Sequence, residues 1–230
     1  MENQTIAEIV AQNYQTADVF KKYEIDFCCG GKKTLEAVCA EKNLPFEKIN
    51  AELNEKTSLM RDMPNYNAWK LSFLIDYILQ VHHQYITESI PVIRQYADKV
   101  TTVHGNRHPE LAHIRNLFYE VAAELEAHLM KEERILFPYI KQAEENKGEI
   151  NAPFGSIKNP IAMMEHEHDK AGDLCHQIAV LTNQYSVPED ACNTYRVYFA
   201  KLKEFEDDLH KHVHLENNIL FAKAIKLSEK

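Results

Sequence analysis

His128-Leu129-Met130-Lys131-Glu132-Glu133-Arg134-Ile135-Leu136-Phe137 and His212-Val213-His214-Leu215-Glu216-Asn217-Asn218-Ile219-Leu220-Phe221 are one phrase written twice, 84 residues apart. Both read H-x3-E-x2-I-L-F. On a helix, residues four apart share a face, with their Cβ atoms about 5–6 Å from each other. An imidazole and a carboxylate at that spacing can reach the same metal ion. A single such pair is ordinarily a surface pair. Two copies, each followed by the same apolar anchor, point inward instead, and Ile135, Leu136, Phe137, Ile219, Leu220 and Phe221 are read as core rather than site.

Around this repeat the chain reads as helical. Four long periodic stretches cover residues 69–100, 109–145, 157–184 and 188–228. Pro91 is expected to kink the first, and Asn146-Lys147-Gly148 to end the second. Connections of modest length between helices of this size predict an all-α, antiparallel four-helix bundle. Ahead of it, residues 5–56 break into short amphipathic pieces. Thr5 and Thr16 are candidate N-caps, Gly30-Gly31 stops one piece, Thr34 opens another, and Pro45 separates the last. The organisation expected is therefore a small helical domain over 1–57, a linker over 58–67 containing Pro64, and the bundle over 68–230. Three or four small helices make a thin core. The small domain is expected to lean on something else, and a homodimer is one way to supply it.

Composition narrows the function. The 230 residues carry 35 acidic and 26 basic side chains, a formal charge of −9 that gives no footprint for nucleic acid. No apolar run approaches the about 20 residues of a membrane span. The polar start Met1-Glu2-Asn3-Gln4 is not that of a signal peptide, so a cytoplasmic protein is expected. Only 6 glycines disfavour phosphate-cradling loops, whereas 12 histidines are an unusual number.

Several of those histidines assemble on the repeat. The first and third long helices offer His83 and His168 at nearly the same offset, so two helix pairs each present His, then His plus Glu. Four imidazoles and two carboxylates facing one interior would build a dinuclear site whose N/O donors suit iron or manganese. Two six-coordinate ions need about twelve bonds. Bridging carboxylates and four imidazoles supply eight, which leaves positions for a bridging oxide or hydroxide and for exogenous ligands. His82 is turned about 100° from its neighbour His83, so one of the two should face out, and spacing does not choose between them. His166, His210 and His214 point to other faces, His104 and His108 fall in a loop, and His113 and His176 fit no repeat. Glu124 and Asp208, one turn before His128 and His212, are candidate acceptors for imidazole N–H groups.

Cys28-Cys29 before Gly30-Gly31 is the second chemical feature. Adjacent cysteines do not have the spacing of a C-x-x-C site. One of the pair can simply pack as a small hydrophobe. The functional alternative is an exposed thiol pair on a mobile domain that holds iron, exchanges electrons or touches a client. Cys39, Cys175 and Cys192 are read as structural, with Cys175 on the His168 face and able to approach the metals.

With these motifs in hand, the bundle resembles hemerythrin-like di-iron domains. The whole chain resembles the iron–sulfur cluster repair di-iron proteins, or repair-of-iron-centres family. Four stretches carry the likeness: Tyr23-Glu24-Ile25-Asp26-Phe27-Cys28-Cys29-Gly30-Gly31, His128 to Pro138, Met164 to Gly172 with its Glu-His-Asp, and Asp208 to Phe221. The resemblance implies two non-haem irons, carboxylate- and oxo- or hydroxo-bridged, with ligands at His83, His128, Glu132, His168, His212 and Glu216. It selects His83 over His82 and favours a functional role for Cys28 and Cys29. Ala222 departs from the family, which has Pro after the Phe; this should alter a helix end, not the metals. The implied function is repair of iron–sulfur clusters damaged by nitrosative or oxidative stress through donation of labile iron, with damaged or scaffold iron–sulfur proteins as partners. Alternatives are nitric oxide reduction to nitrous oxide at a diferrous centre, or a non-catalytic sensor of O2 or NO.

Overall fold

A computed structural model describes residues 4–58, 64–147 and 154–229. Gly148 and most of the expected linker lie outside them. Four short helices come first: α1 (Ile6–Gln12), α2 (Ala17–Lys22), α3 (Leu35–Lys42) and α4 (Phe46–Ser58). Thr5 begins α1 with a reciprocal cap, its hydroxyl accepting from Glu8 N at 3.2 Å while Glu8 accepts from Thr5 N at 2.8 Å. Thr34 caps α3 through Ala37 N. Thr16 is not a cap; its hydroxyl donates to Asn13 O, and Asn13 caps the single turn that precedes α2.

Four long helices follow, three of them interrupted by a π-turn. Helix α5 runs through Leu71–Tyr77, a π-turn at Ile78–His83, and Gln84–His104. Helix α6 runs through Glu110–Lys131, a π-turn at Glu132–Leu136, and Phe137–Glu145. Helix α7 is Lys158–Leu181, regular throughout. Helix α8 runs through Asn193–Leu215, a π-turn at Glu216–Phe221, and Ala222–Ser228. Pro91 is exposed and does not end α5. Helix α7 stops before the expected residue 184 because Asn183, Gln184 and Tyr185 all take positive φ. The π-turn recurs with Pro138 after it in α6 and Ala222 after it in α8, so the proline is not its cause.

The interior is two apolar clusters with a polar layer between them. One contains Ile86 and Val100 of α5, Leu111 to Leu129 of α6, Ala171 to Ile178 of α7 and Tyr195 to Val213 of α8. The other contains Leu71 to Ile78, Leu136 to Ile140, Ile157 to Met164 and Leu215 to Ala224. Along α5 and α7 the chain passes from the second cluster to the first, and along α6 and α8 from the first to the second. The four helices therefore alternate in direction, as an antiparallel bundle requires. The positions where the clusters change over are the repeat's His and Glu residues.

The thin core of the first helices is completed by the bundle. Ile6, Phe20, Leu35, Ile49 and Leu53 are fully buried in the same cluster as Ile86, Phe205 and Val213. Full burial of such side chains contributes about 1.5–3 kcal/mol each, and the contact a partner chain was expected to supply comes from α8 and its neighbours. Ala11 of α1 packs against the cluster that holds Ile219. Among the described residues no element does the same for the equivalent Ile135, which is 53% exposed and is not core.

The Cys28-Cys29-Gly30-Gly31 loop is pinned between α1 and α8. Gly31 O accepts from Ala7 N at 2.8 Å, and Asp26 collects the N–H groups of Cys28, Cys29 and Gly30 at 2.8–3.1 Å. A Cβ on Gly31 would lie 2.6 Å from Phe27 O and 3.0 Å from Ala7 Cβ, and the first of these is backbone that cannot swing away. Gly31→Ala is expected to destabilise the protein by about 1–3 kcal/mol and to speed alkylation of buried Cys28. Thermal melting with timed iodoacetamide labelling checks both.

Candidate metal centre

All six residues singled out by the repeat and the resemblance converge in the polar layer. His83, Glu132, His212 and Glu216 form one group, and His128, Glu132, His168 and Glu216 a second, with donor atoms in each within 4.8 Å of one another. Both glutamates belong to both groups. Glu132 approaches His83 Nε2 at 3.5 Å and His128 Nε2 at 3.2 Å. Glu216 approaches His168 Nε2 at 3.1 Å and His212 Nε2 at 2.9 Å.

The donor set fits a pair of cations. Glu132 and Glu216 are 0% exposed, and none of their four carboxylate oxygens has a hydrogen-bond partner among the described residues. Buried carboxylates without donors carry a large desolvation cost unless a cation or proton compensates it. His83 Nε2 and His212 Nε2 are equally without a hydrogen-bond partner and aim at the same carboxylates. The set is imidazole and carboxylate with no sulfur, the donor chemistry of iron or manganese rather than of thiolate-preferring ions.

Without metal, burial and neighbouring charge act against each other in this layer. Burial pushes His83 and His128 toward the neutral form, but the glutamates outweigh it, lifting His83 to about 10 and His128 to about 9. Burial drives His212 down. Burial raises Glu216, yet His212 and the other imidazoles more than offset this and hold it well below the usual carboxylate range. Glu132 is lowered as well, against both burial and the neighbouring charge of Glu216.

The π-turns account for what the sequence misplaced. Helical spacing sends one of His82 and His83 outward, but both are buried because the π-turn at Ile78–His83 inserts an extra residue into the helical register. His82 Nδ1 lies 2.9 Å from Asp208, and its ring stacks on His212 with centroids 5.7 Å apart. Asp208 therefore partners His82, not His212. Glu124 partners exposed Lys170 and not His128. The acceptors actually present are Glu133 for His83 Nδ1, Glu167 for His128 Nδ1 and Asn217 for His168 Nδ1, at 2.9, 2.9 and 2.8 Å. Glu133 and Asn217 directly follow the two repeat glutamates, a signal the sequence did contain. His214 is buried, not turned to solvent, and Asn218 Nδ2 lies 3.0 Å from its Nδ1.

The vicinal thiols adjoin this layer. Cys28 is buried with its Sγ 3.2 Å from Asp26, while Cys29 is half-buried. Asn218 donates to Phe27 O and Cys28 O, both at 3.2 Å, and Asn217 Nδ2 reaches Cys29 Sγ at 3.9 Å. The π-turn that follows Glu216 thus touches both the metal layer and the thiol loop. Contact between the two cysteines, burial and nearby Asp26 push the Cys28 thiol well up. Cys175 does not join the donor groups. Seven residues along a helix is about 10 Å, and burial raises its thiol beside Glu206.

Comparison with known proteins agrees with this geometry. Residues 74–224 match the hemerythrin HHE cation binding domain, and residues 2–57 match a domain of unknown function (DUF542). The chain is 35% identical over 224 residues to the iron–sulfur cluster repair protein YtfE of Pectobacterium atrosepticum, covering 97% of each protein. YtfE of Citrobacter koseri is 35% identical over 227 residues, again with 97% of each covered. Among the described residues no helix is long and apolar enough to cross a membrane. Its buried His/Glu layer could hold metal ions and lies within the matched cation binding domain, and with both family segments matched and nearly the whole length aligned, the chain belongs to the YtfE family of iron–sulfur cluster repair proteins.

Proposed function

We propose that His83, His128, Glu132, His168, His212 and Glu216 hold two iron ions, and that the protein uses them in the cytoplasm to repair iron–sulfur clusters damaged by nitrosative or oxidative stress. The observation that carries this reading is a pair of fully buried glutamates, each common to both donor groups, whose four oxygens make no hydrogen bond among the described residues and meet only imidazole nitrogens. Bound there, the irons supply a store of labile metal with positions left for small ligands. Glu132 and Glu216 span both sites, so an ion can leave while its neighbour keeps both carboxylates ordered. Glu133, Glu167 and Asn217 fix the orientation of three imidazoles. The apolar clusters above and below exclude water from the layer. Cys29, half-buried beside Asn217, is placed to assist iron that leaves, with Cys28 behind it. The working organisation is a thiol-bearing unit over 1–57, a linker over 58–67 and the iron-holding bundle over 68–230.

The test is repair of a nitric oxide-damaged iron–sulfur enzyme by the iron-loaded protein. Restored activity is expected, and a Cys28→Ser/Cys29→Ser variant with unchanged iron content should restore less than half as much. Equal rescue by free ferrous iron at matched concentration would refute the reading.

A further inference from the structure

The two halves of the centre arise from one repeat but are fastened differently. Across the repeat, Glu133 corresponds to Asn217, and each accepts from the Nδ1 of the histidine on the preceding helix, His83 or His168. The other pair of positions breaks the symmetry. Glu167, just before His168, accepts from His128 Nδ1 at 2.9 Å and is itself gripped by Lys131. Its counterpart, just before His83, is His82. That imidazole turns its Nδ1 to Asp208 and lays its ring parallel to His212, 4° between planes, without engaging the neighbour's N–H. His212 is 0% exposed, and its Nδ1 has no hydrogen-bond partner among the described residues.

An acceptor on the far nitrogen of a ligating imidazole fixes its tautomer and orientation and strengthens it as a donor; loss of such a partner costs about 10–100-fold in metal affinity. Both imidazoles of the His128/His168 group have that partner, and only one of the His83/His212 group does. We infer that the two metal positions are unequal: the ion held by His83 and His212 is the one given up, and the ion held by His128 and His168 is retained. His82 and Glu167 are the positioning residues that set the difference. The inference rests on the di-iron reading above and assigns which ion is the cargo. Retention of the second ion also has a purpose, because it keeps Glu132 and Glu216 compensated while the first position is empty.

The experiment follows iron removal from the fully loaded, full-length protein, under anaerobic conditions, with excess ferrozine. Two phases of equal amplitude are expected, differing at least about tenfold in rate. Crystals of protein stopped after the first phase, measured by anomalous diffraction at the iron edge, should show the remaining ion between His128 and His168. Glu167→Gln should speed the slow phase and leave the fast one unchanged. His82→Glu, which places a carboxylate where the other half has one, should slow the fast phase about tenfold or more. If the nearby Asp208 prevents that variant from folding, the wild-type occupancies and Glu167→Gln still decide. A single phase with equal residual occupancy, or a residual ion between His83 and His212, overturns the inference while leaving the di-iron reading intact. A loaded protein with fewer than two irons would overturn the di-iron reading itself.

Discussion

Replacing Glu132 and Glu216 together by leucine is expected to abolish metal binding and to lower the melting temperature of the metal-free protein at neutral pH. Both side chains are fully buried, and their four oxygens lack hydrogen-bond donors. In the metal-free state the layer therefore holds two desolvated charges offset only by nearby imidazoles. Removing one side of a buried ionic pair is strongly destabilising, by about 3–5 kcal/mol, because its partner is left uncompensated. The loaded wild type should be the most stable form, since a ligand at about 1,000 times its dissociation constant adds about 4 kcal/mol. Calorimetry on four samples checks the order, wild type and variant, each with iron and with chelator. A metal-free variant as stable as metal-free wild type, or more stable, would show that the imidazoles and carboxylates do not offset each other without metal.

The second large effect is on pH dependence, and metal removes it. In the chelated protein His83 and His128 are lifted to about 10 and about 9 by the carboxylates, from an ordinary value of 6.5. A raised folded-state value binds protons more tightly than the unfolded chain does. That stabilisation is fully present below pH 6.5 and is lost as pH rises through about 9 and then 10. Chelated protein should therefore lose on the order of a few kcal/mol between neutral and alkaline pH. Glu216 acts in the opposite range. Its value is held well below 4.5, so its contribution is present above that pH and is lost on acidification. In loaded protein the ions take the place of the imidazole protons, and the alkaline loss should vanish. Urea titrations at pH 6.5 and pH 10, with and without metal, measure the contrast; parallel curves would contradict it.

The bundle and four of the six candidate donors were legible because the repeat states them twice, while His83 was preferred to His82 only through the family resemblance. His128, Glu132, His212 and Glu216 sit at a spacing that only a helix turns into a shared face, and the identical anchors fix which face is buried. What was not legible follows from the π-turns. An inserted residue changes the angular position of the side chains around it, so the 100° rule required one of His82 and His83 to face out, whereas the turn that begins at Ile78 buries both. Asp208, one turn before His212 on α8, instead meets His82 across the bundle. The exposed Ile135 shows the limit of the repeat itself. Equivalent residues share a helical face, but burial depends on what lies opposite, and α1 packs against the second copy while Ile135 of the first stays exposed. The mutual burial of the first four helices and the bundle was likewise invisible to composition, which sees a thin core but not its neighbour.

The short turn from Glu216 to Phe221 has one more consequence. Its first residue is a candidate metal donor, and the next two hold the thiol loop, through Asn217 at Cys29 and Asn218 at the carbonyls of Phe27 and Cys28. Two binding events that draw on one segment are thermodynamically linked, and such linkage is reciprocal. Whatever factor metal occupancy applies to a reagent or client engaging the cysteines, that engagement must return to the metal. A client seated on the thiols would weaken or tighten the grip on iron by the same ratio, so delivery could be triggered by the recipient's arrival rather than by a separate signal.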